Sequence, residues 1–176
     1  ASMENEYLAV TVNGNGTIDV LHKATGETYN SVNYLRDQGE TGNAWKHVPP
    51  VFDQVFTSLG ASATVRIIEN GPLVSAIAAE YEFEVPLDYA DGNRRSDTLV
   101  KLPVRVEYRL RAGESKVNVR MKIDNRAKDH WLRACVPTGI IADYTVSDSH
   151  FDAVRRAVKI PDSTGWVERA YGTHPM

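Results

Sequence analysis

The chain holds one cysteine, Cys135, among its 176 residues, so no intrachain disulfide is possible. A lone cysteine fits a reducing cytoplasm, and a cytoplasmic location is the expectation. No apolar run approaches the ~20 residues that a membrane span needs, so no membrane partner is expected. No signal peptide opens the chain. Ala1-Ser2-Met3 reads as a cloning remnant, which puts the fold at 4–176. Positive charge is not in excess: 20 Lys and Arg face 23 Asp and Glu, a net charge of −3. A nucleic-acid partner is therefore not expected, and the Arg94-Arg95 pair reads as a short solvated loop. The five histidines, His22, His47, His130, His150 and His174, are scattered without HxxxH spacing, which gives no support to a metal site. No GxSxG, Walker or GxGxxG motif is found. No catalytic residue is assigned.

What is present is alternation with a period of two. Leu8, Val10 and Val12 share one face of a strand over 5–12. Asn13-Gly14-Asn15-Gly16 follows, a hairpin signal because Asn and Gly tolerate positive φ. Asn15-Gly16-Thr17 matches a glycosylation sequon, but it reads as part of that turn. Residues 17–22 return with Ile18 and Val20 alternating against Thr17 and Asp19, and 28–35 form a third strand. Residues 73–85 place Leu73, Ile77, Tyr81, Phe83 and Val85 on one face and Glu80, Glu82 and Glu84 on the other. Residues 102–111 alternate Val104, Val106, Tyr108 and Leu110 with Arg105, Glu107, Arg109 and Arg111. Residues 116–124 alternate Val117, Val119, Met121 and Ile123 with Lys116, Asn118, Arg120 and Lys122. The acidic face of 80–84 can lie beside these basic faces, where opposite cross-strand charges help. A 73–85 strand would run roughly 40 Å at ~3.3 Å per residue, which implies extended sheets. Residues 151–159 also read as a strand. The fold class is all-β, an antiparallel β-sandwich, in one domain over 4–176.

The stretch 36–54 is the most informative for function. By pattern it is a long structureless loop mixing acids, glycines, an aromatic and two prolines. Loops of that length in compact domains usually carry function. Asp37, Glu40 and Asn43 offer carboxylates and an amide to hydroxyl groups. The indole of Trp45 offers a face to the C–H side of a sugar. These four are the candidate carbohydrate-binding residues. The same residue types also suit an Ω-loop in which Trp45 plugs the core. Cys135, inside the apolar run 132–136, reads as a buried structural thiol. Asp148 and Asp152 read as residues of a surface turn.

The segment Asp-x-Gly-Glu-x-Gly-Asn-x-Trp-x-x-x-Pro-Pro at 37–50 resembles a stretch of glycoside hydrolase family 38 α-mannosidases, Asp-x-Gly-Asp-x-Gly-Asp-x-Tyr-x-x-x-Pro-Pro. The bacterial mannosylglycerate hydrolase-like branch is the most similar. Asn5-Glu6-Tyr7-Leu8, Val10-Thr11-Val12-Asn13, Gly16-Thr17-Ile18 and Lys23-Ala24-Thr25-Gly26 resemble the opening of that family's C-terminal β domain. Asp129-His130-Trp131-Leu132-Arg133, Phe151-Asp152-Ala153-Val154-Arg155-Arg156, and Trp166 with Glu168 and Thr173-His174-Pro175 resemble later segments in the same order. The resemblance implies a galactose-mutarotase-like supersandwich. It implies a parent enzyme that hydrolyses α-mannosides with retention, using two carboxylates. It places the nucleophile and a zinc ion in an N-terminal catalytic domain outside this chain, so the fragment itself needs no cofactor and is expected to be inactive alone. By the same resemblance the chain is truncated at both ends, and its partners are that domain and an α-mannoside. Trp45 stands where the family has a tyrosine that reaches toward the sugar. It keeps an aromatic face but offers only an N–H donor. Glu40 and Asn43 replace Asp, and Trp131 replaces Arg.

Two other readings come from different classes. One is an autonomous carbohydrate-binding module with 37–50 as its sugar platform. The other is an aldose-epimerase-like enzyme, which would want paired His and carboxylate groups that the scattered histidines do not suggest.

Overall fold

The computed structural model describes residues 1–42, 47–90 and 94–159. Asn43 and Trp45 lie outside the described residues, as do Trp166, Glu168 and Thr173-His174-Pro175. The chain divides into two compact units, 1–137 and 138–176. Each is taken by itself.

In chain order the first unit contains thirteen strands among its described residues. They are β1 (Ser2–Glu4), β2 (Leu8–Val12), β3 (Ile18–His22), β4 (Thr28–Val32), β5 (Tyr34–Gly39), β6 (Phe56–Thr57) and β7 (Thr64–Asn70). Then come β8 (Val74–Pro86), β9 (Tyr89–Ala90), β10 (Arg94–Arg95), β11 (Leu99–Arg111), β12 (Asn118–Ile123) and β13 (His130–Cys135). Three larger sheets form, ordered β1-β2-β3-β4, β12-β11-β8-β7 and β13-β5-β6, with β9 and β10 as a small pair. All of these strand pairs are antiparallel. The second unit carries the antiparallel hairpin of β14 (Tyr144–Ser149) and β15 (Asp152–Ala157). The strand expected over 151–159 is thus found. Among the described residues no helix is long and apolar enough to cross a membrane.

The antiparallel all-β class follows from the alternation. The longest pairing joins β8 to β11 over thirteen residues each, with Tyr81 opposite Val104 and Glu80 opposite Arg105. Ile77, Tyr81, Phe83 and Val85 face inward beside Val104, Val106, Tyr108 and Leu110. Leu8, Val10, Val12 and Ile18 of the first sheet and Leu35 of the third meet them in one core. Burial of this shared apolar face is what holds the sheets together. The outer face carries the expected charge ladder. Arg105 pairs with Glu80 and Glu107, Lys101 with Glu82, Arg66 with Glu80, and Arg109 with Glu69. These pairs are solvent-exposed, so they set register more than they add stability.

Five sequence-based expectations are corrected. Leu73 precedes β8 and is 71% exposed, because the turn at Gly71 holds it out of the strand. Thr17 is buried: its amide and hydroxyl both donate to Asn15 Oδ1, which closes the turn onto itself. The expected strand over 28–35 breaks into β4 and β5, since Ser31 and Asn33 take positive φ, 53° and 69°. Residues 36–39 are strand, not loop, because β5 pairs with both β13 and β6. Ser2–Glu4 pairs with β2, and Met3 is buried in the core, so the opening residues take part in the fold.

Candidate functional site

The site is built on the β13-β5-β6 sheet and the chain that leaves it. Strand β5 alternates: Leu35, Asp37 and Gly39 are buried, while Arg36 and Gln38, and Glu40 just beyond the strand, are half-buried. The inward set includes a charge. Asp37 is fully buried, with Arg95 and His130 against its two oxygens. Their side chains are 2% and 5% exposed. Arg95 Nη2 approaches Asp37 Oδ1 to 2.5 Å. This contact is an ion pair without hydrogen-bond alignment, since among the described residues neither atom has a hydrogen-bond partner. Arg95 Nη1 donates to the Gln54 carbonyl at 3.2 Å, and its guanidinium lies 5.5 Å from the Phe56 ring centre. His130 Nδ1 makes a short contact with Asp37 Oδ2, and its Nε2 lies 3.1 Å from Asn125 Oδ1. Register puts His130 opposite Gly39 and Leu132 opposite Asp37, so the three groups converge below the sheet end from which 40–48 departs.

Glu40 closes that loop. Its Oε1 accepts from the amides of Gly42 and Val48, at 2.8 and 2.9 Å, and its Oε2 meets His47 Nδ1 at 2.6 Å. Thr41 adds its amide and hydroxyl to the Val48 carbonyl. Burial pushes the Glu40 carboxyl up, but the Val48 amide, His47 and the Gly42 amide outweigh it and hold its pKa below the ordinary 4.5. A carboxyl depressed in the folded state contributes stability that is present above the unfolded pKa and lost as pH falls through the folded one. The loop is therefore expected to stay clasped at pH 6 and to open as pH drops below about 4.5. The Gly42 and Val48 amide resonances report this directly. Unchanged shifts and exchange rates down to the acid limit of the fold would contradict it.

The outward face is aromatic and cationic. Trp131 sits opposite Gln38, with the His47 ring 4.2 Å away, centre to centre, and the Arg133 guanidinium 3.9 Å from its ring centre. Gln38 Nε2 donates to Asp53 Oδ2 at 3.3 Å, Gly39 N donates to Asp53 Oδ1 at 2.9 Å, and Arg133 Nη2 donates to Gln38 Oε1. Asp53 thus ties the far end of the 40–54 segment to β5.

The four predicted sugar-contacting residues separate under this geometry. Asp37, expected in an exposed loop, is instead fully buried in β5, with Arg95 and His130 against its two oxygens. Glu40 lies in the loop as expected, with its oxygens turned to loop amides and His47. Asn43 and Trp45 lie outside the described residues, bracketed by Glu40 and His47. Sequence reasoning missed Arg95, His130, His47 and Trp131. The reading of Arg94-Arg95 as a solvated loop holds for Arg94, which is exposed and paired with Asp97, and fails for Arg95. Cys135 is a buried free thiol, as expected. Among the described residues no group of three or more His, Cys, Asp or Glu side chains is placed to hold a metal ion.

Residues 3–170 match the family described as "Glycosyl hydrolases family 38 C-terminal domain". The chain belongs to that family. It is 27% identical to a protein of Halalkalibacterium halodurans named "Putative mannosylglycerate hydrolase", covering 98% of this chain and 21% of that one. Its fold matches the crystal structure of an α-mannosidase from Enterococcus faecalis V583 with a TM-score of 0.86 and 25% identity, over 92% of this chain and 20% of that one. A second family 38 structure from Enterococcus faecalis matches with a TM-score of 0.81 and 26% identity, over 89% and 20%. The chain thus spans about a fifth of the length of these relatives. In each of these relatives the matched region is part of a much longer chain.

Proposed function

We propose that this family 38 domain forms one wall of an α-mannoside cleft and presents the 40–48 loop, with Trp45, to the bound sugar. The single observation that carries the reading is the double anchorage of that loop. Below its base lies the buried Asp37, Arg95 and His130 cluster, and across its neck lies the Glu40 clasp to Val48 and His47. A clasp at the neck of a loop lowers the ordering cost of binding through it. In sequence Trp45 falls between Glu40 and Val48. Its indole face suits the C–H side of a pyranose, and its N–H can donate to a hydroxyl.

On this reading the domain contributes binding and orientation. The two carboxylates of a retaining mechanism and the zinc ion reside in the remainder of a larger chain, and the domain alone is inactive. The partners are that remainder and an α-mannoside.

The test is a titration of mannose and methyl α-mannoside into the 176-residue chain, followed by calorimetry and ligand-observed NMR, with Trp45→Ala beside it. No binding and no turnover of an aryl α-mannoside are expected from the chain alone. In the complete hydrolase, Trp45→Ala is expected to lower kcat/KM about tenfold, the equivalent of about 1.4 kcal/mol. Saturable sugar binding by the chain alone, abolished by Trp45→Ala, would overturn this reading in favour of an autonomous carbohydrate-binding module.

A further inference from the structure

We propose that Arg36 and Arg133, on the open face of the β13-β5-β6 sheet, form a binding site for a small oxyanion, a carboxylate or a phosphate ester. The two arginines are directly opposite in the antiparallel register of β5 and β13. Directly opposed side chains in such a pair have Cβ atoms about 4.5–5.5 Å apart, and like charges at that position destabilise a sheet. Elsewhere in the same unit arginines on sheet faces meet acids: Arg105 meets Glu80 and Glu107, and Arg109 meets Glu69. Here, among the described residues, neither arginine has a carboxylate partner. The nearby acids are already committed, Asp53 to the Gly39 amide and Gln38, and Glu40 to loop amides and His47.

Arg133 is also held in place for a ligand. Its guanidinium lies over Trp131 at 3.9 Å, and its Nη2 is fixed by Gln38 Oε1. Its Nε is buried and, among the described residues, has no hydrogen-bond partner. Burial first, then the charge of Arg36, pulls the Arg133 pKa down, so the cation sits where an added anion would be welcome. Planar guanidinium groups match carboxylate and phosphate oxygens with paired N–H donors, which makes arginine the side chain suited to such a site. An oxyanion between the two would cancel the cross-strand repulsion. This inference stands apart from the mannoside reading, because it concerns an anion and is read without any sugar.

The experiment follows the arginine Nε–H resonances of the 176-residue chain by NMR during titration with inorganic phosphate, with D-glycerate, and with sodium chloride at matched ionic strength. Saturable shifts at Arg36 and Arg133 with phosphate or glycerate, and not with chloride, are expected. Saturation by phosphate alone assigns the site to a phosphate group, and saturation by glycerate alone assigns it to a carboxylate. Arg36→Gln, a change at a half-buried side chain, should weaken the response tenfold or more while near-UV circular dichroism stays unchanged. The proposal is overturned if neither anion saturates, if chloride gives the same shifts, or if Arg36→Gln binds as tightly as the parent sequence.

Discussion

Asp37→Ala is expected to destabilise the first unit by about 3–5 kcal/mol, the range for removing one partner of a buried ion pair. Asp37 is fully buried, and the Arg95 and His130 side chains beside it are 2% and 5% exposed. Removing the carboxylate leaves a guanidinium in a place that water reaches poorly. Among the described residues Arg95 then keeps the Gln54 carbonyl, at 3.2 Å, and the Phe56 ring. These cannot replace a full negative charge. The loss should appear as a large fall in the urea midpoint followed by tryptophan fluorescence. A second variant separates charge from shape. Removing both charges in Asp37→Ala with Arg95→Met should cost less than Asp37→Ala alone, because no unpaired cation then remains. If Asp37→Ala unfolds at the parent midpoint, or if the double variant is worse than the single one by the full cost of Arg95→Met, the cluster is not the anchor described here.

That cluster marks the boundary of what the sequence makes legible. The β8 and β11 pairing is readable because alternation over a dozen residues leaves one solution for the buried face. The same rule matches Glu80 to Arg105 and predicts the charge ladder. Asp37 is different. Its neighbours, Arg36-Asp37-Gln38-Gly39-Glu40, are the residue types of a surface loop, and local propensity points outward. What turns Asp37 inward is pairing with β13 and β6, from 130–135 and 56–57, together with a counter-charge from Arg95. None of that is local. Arg94 and Arg95 carry identical side chains side by side, yet strand alternation exposes one and buries the other.

The loop itself was legible as a functional candidate, and the family resemblance found its ends. The roles within it were not legible. Glu40 has the residue type of a sugar ligand, and its geometry is that of a clasp on the Val48 and Gly42 amides. Trp131 and His47 are ninety-odd and seven residues from the loop's start, and only the β5 and β13 register brings them together. The break of 28–35 into two strands has a readable cause in hindsight. Asn tolerates the left-handed region better than most residues, and Asn33 adopts it.

Asn33 leads to the second large expectation. Tyr108→Phe should cost about 2–6 kcal/mol, from roughly 1–3 kcal/mol for each of the two buried groups left without a partner. The Tyr108 hydroxyl donates to the Gly16 carbonyl at 2.6 Å and accepts from Asn33 Nδ2 at 2.9 Å, and the residue is fully buried. One oxygen thus joins β11 to the β2–β3 turn and to the bend between β4 and β5. Burial raises the phenol pKa far above its ordinary 10.0, against a smaller opposing effect of Asn33, so the group remains a neutral donor wherever the fold is stable. Phenylalanine keeps the ring and its packing, so the loss isolates the hydroxyl. The turn it holds has little freedom to adjust. Gly16 has φ of 86°, and a Cβ there would meet the Tyr81 ring at 2.7 Å. Asn33→Gly keeps the positive φ and removes the second orphan. The pair Asn33→Gly with Tyr108→Phe should therefore cost less than the sum of the two single changes. Urea unfolding measures the energies, and hydrogen exchange of the Asn13 and Thr17 amides shows whether the turn loosens. An unchanged midpoint in Tyr108→Phe would mean that the sheets are held by apolar burial alone. Strict additivity in the double variant would mean that Asn33 and Tyr108 do not act through their shared hydrogen bond.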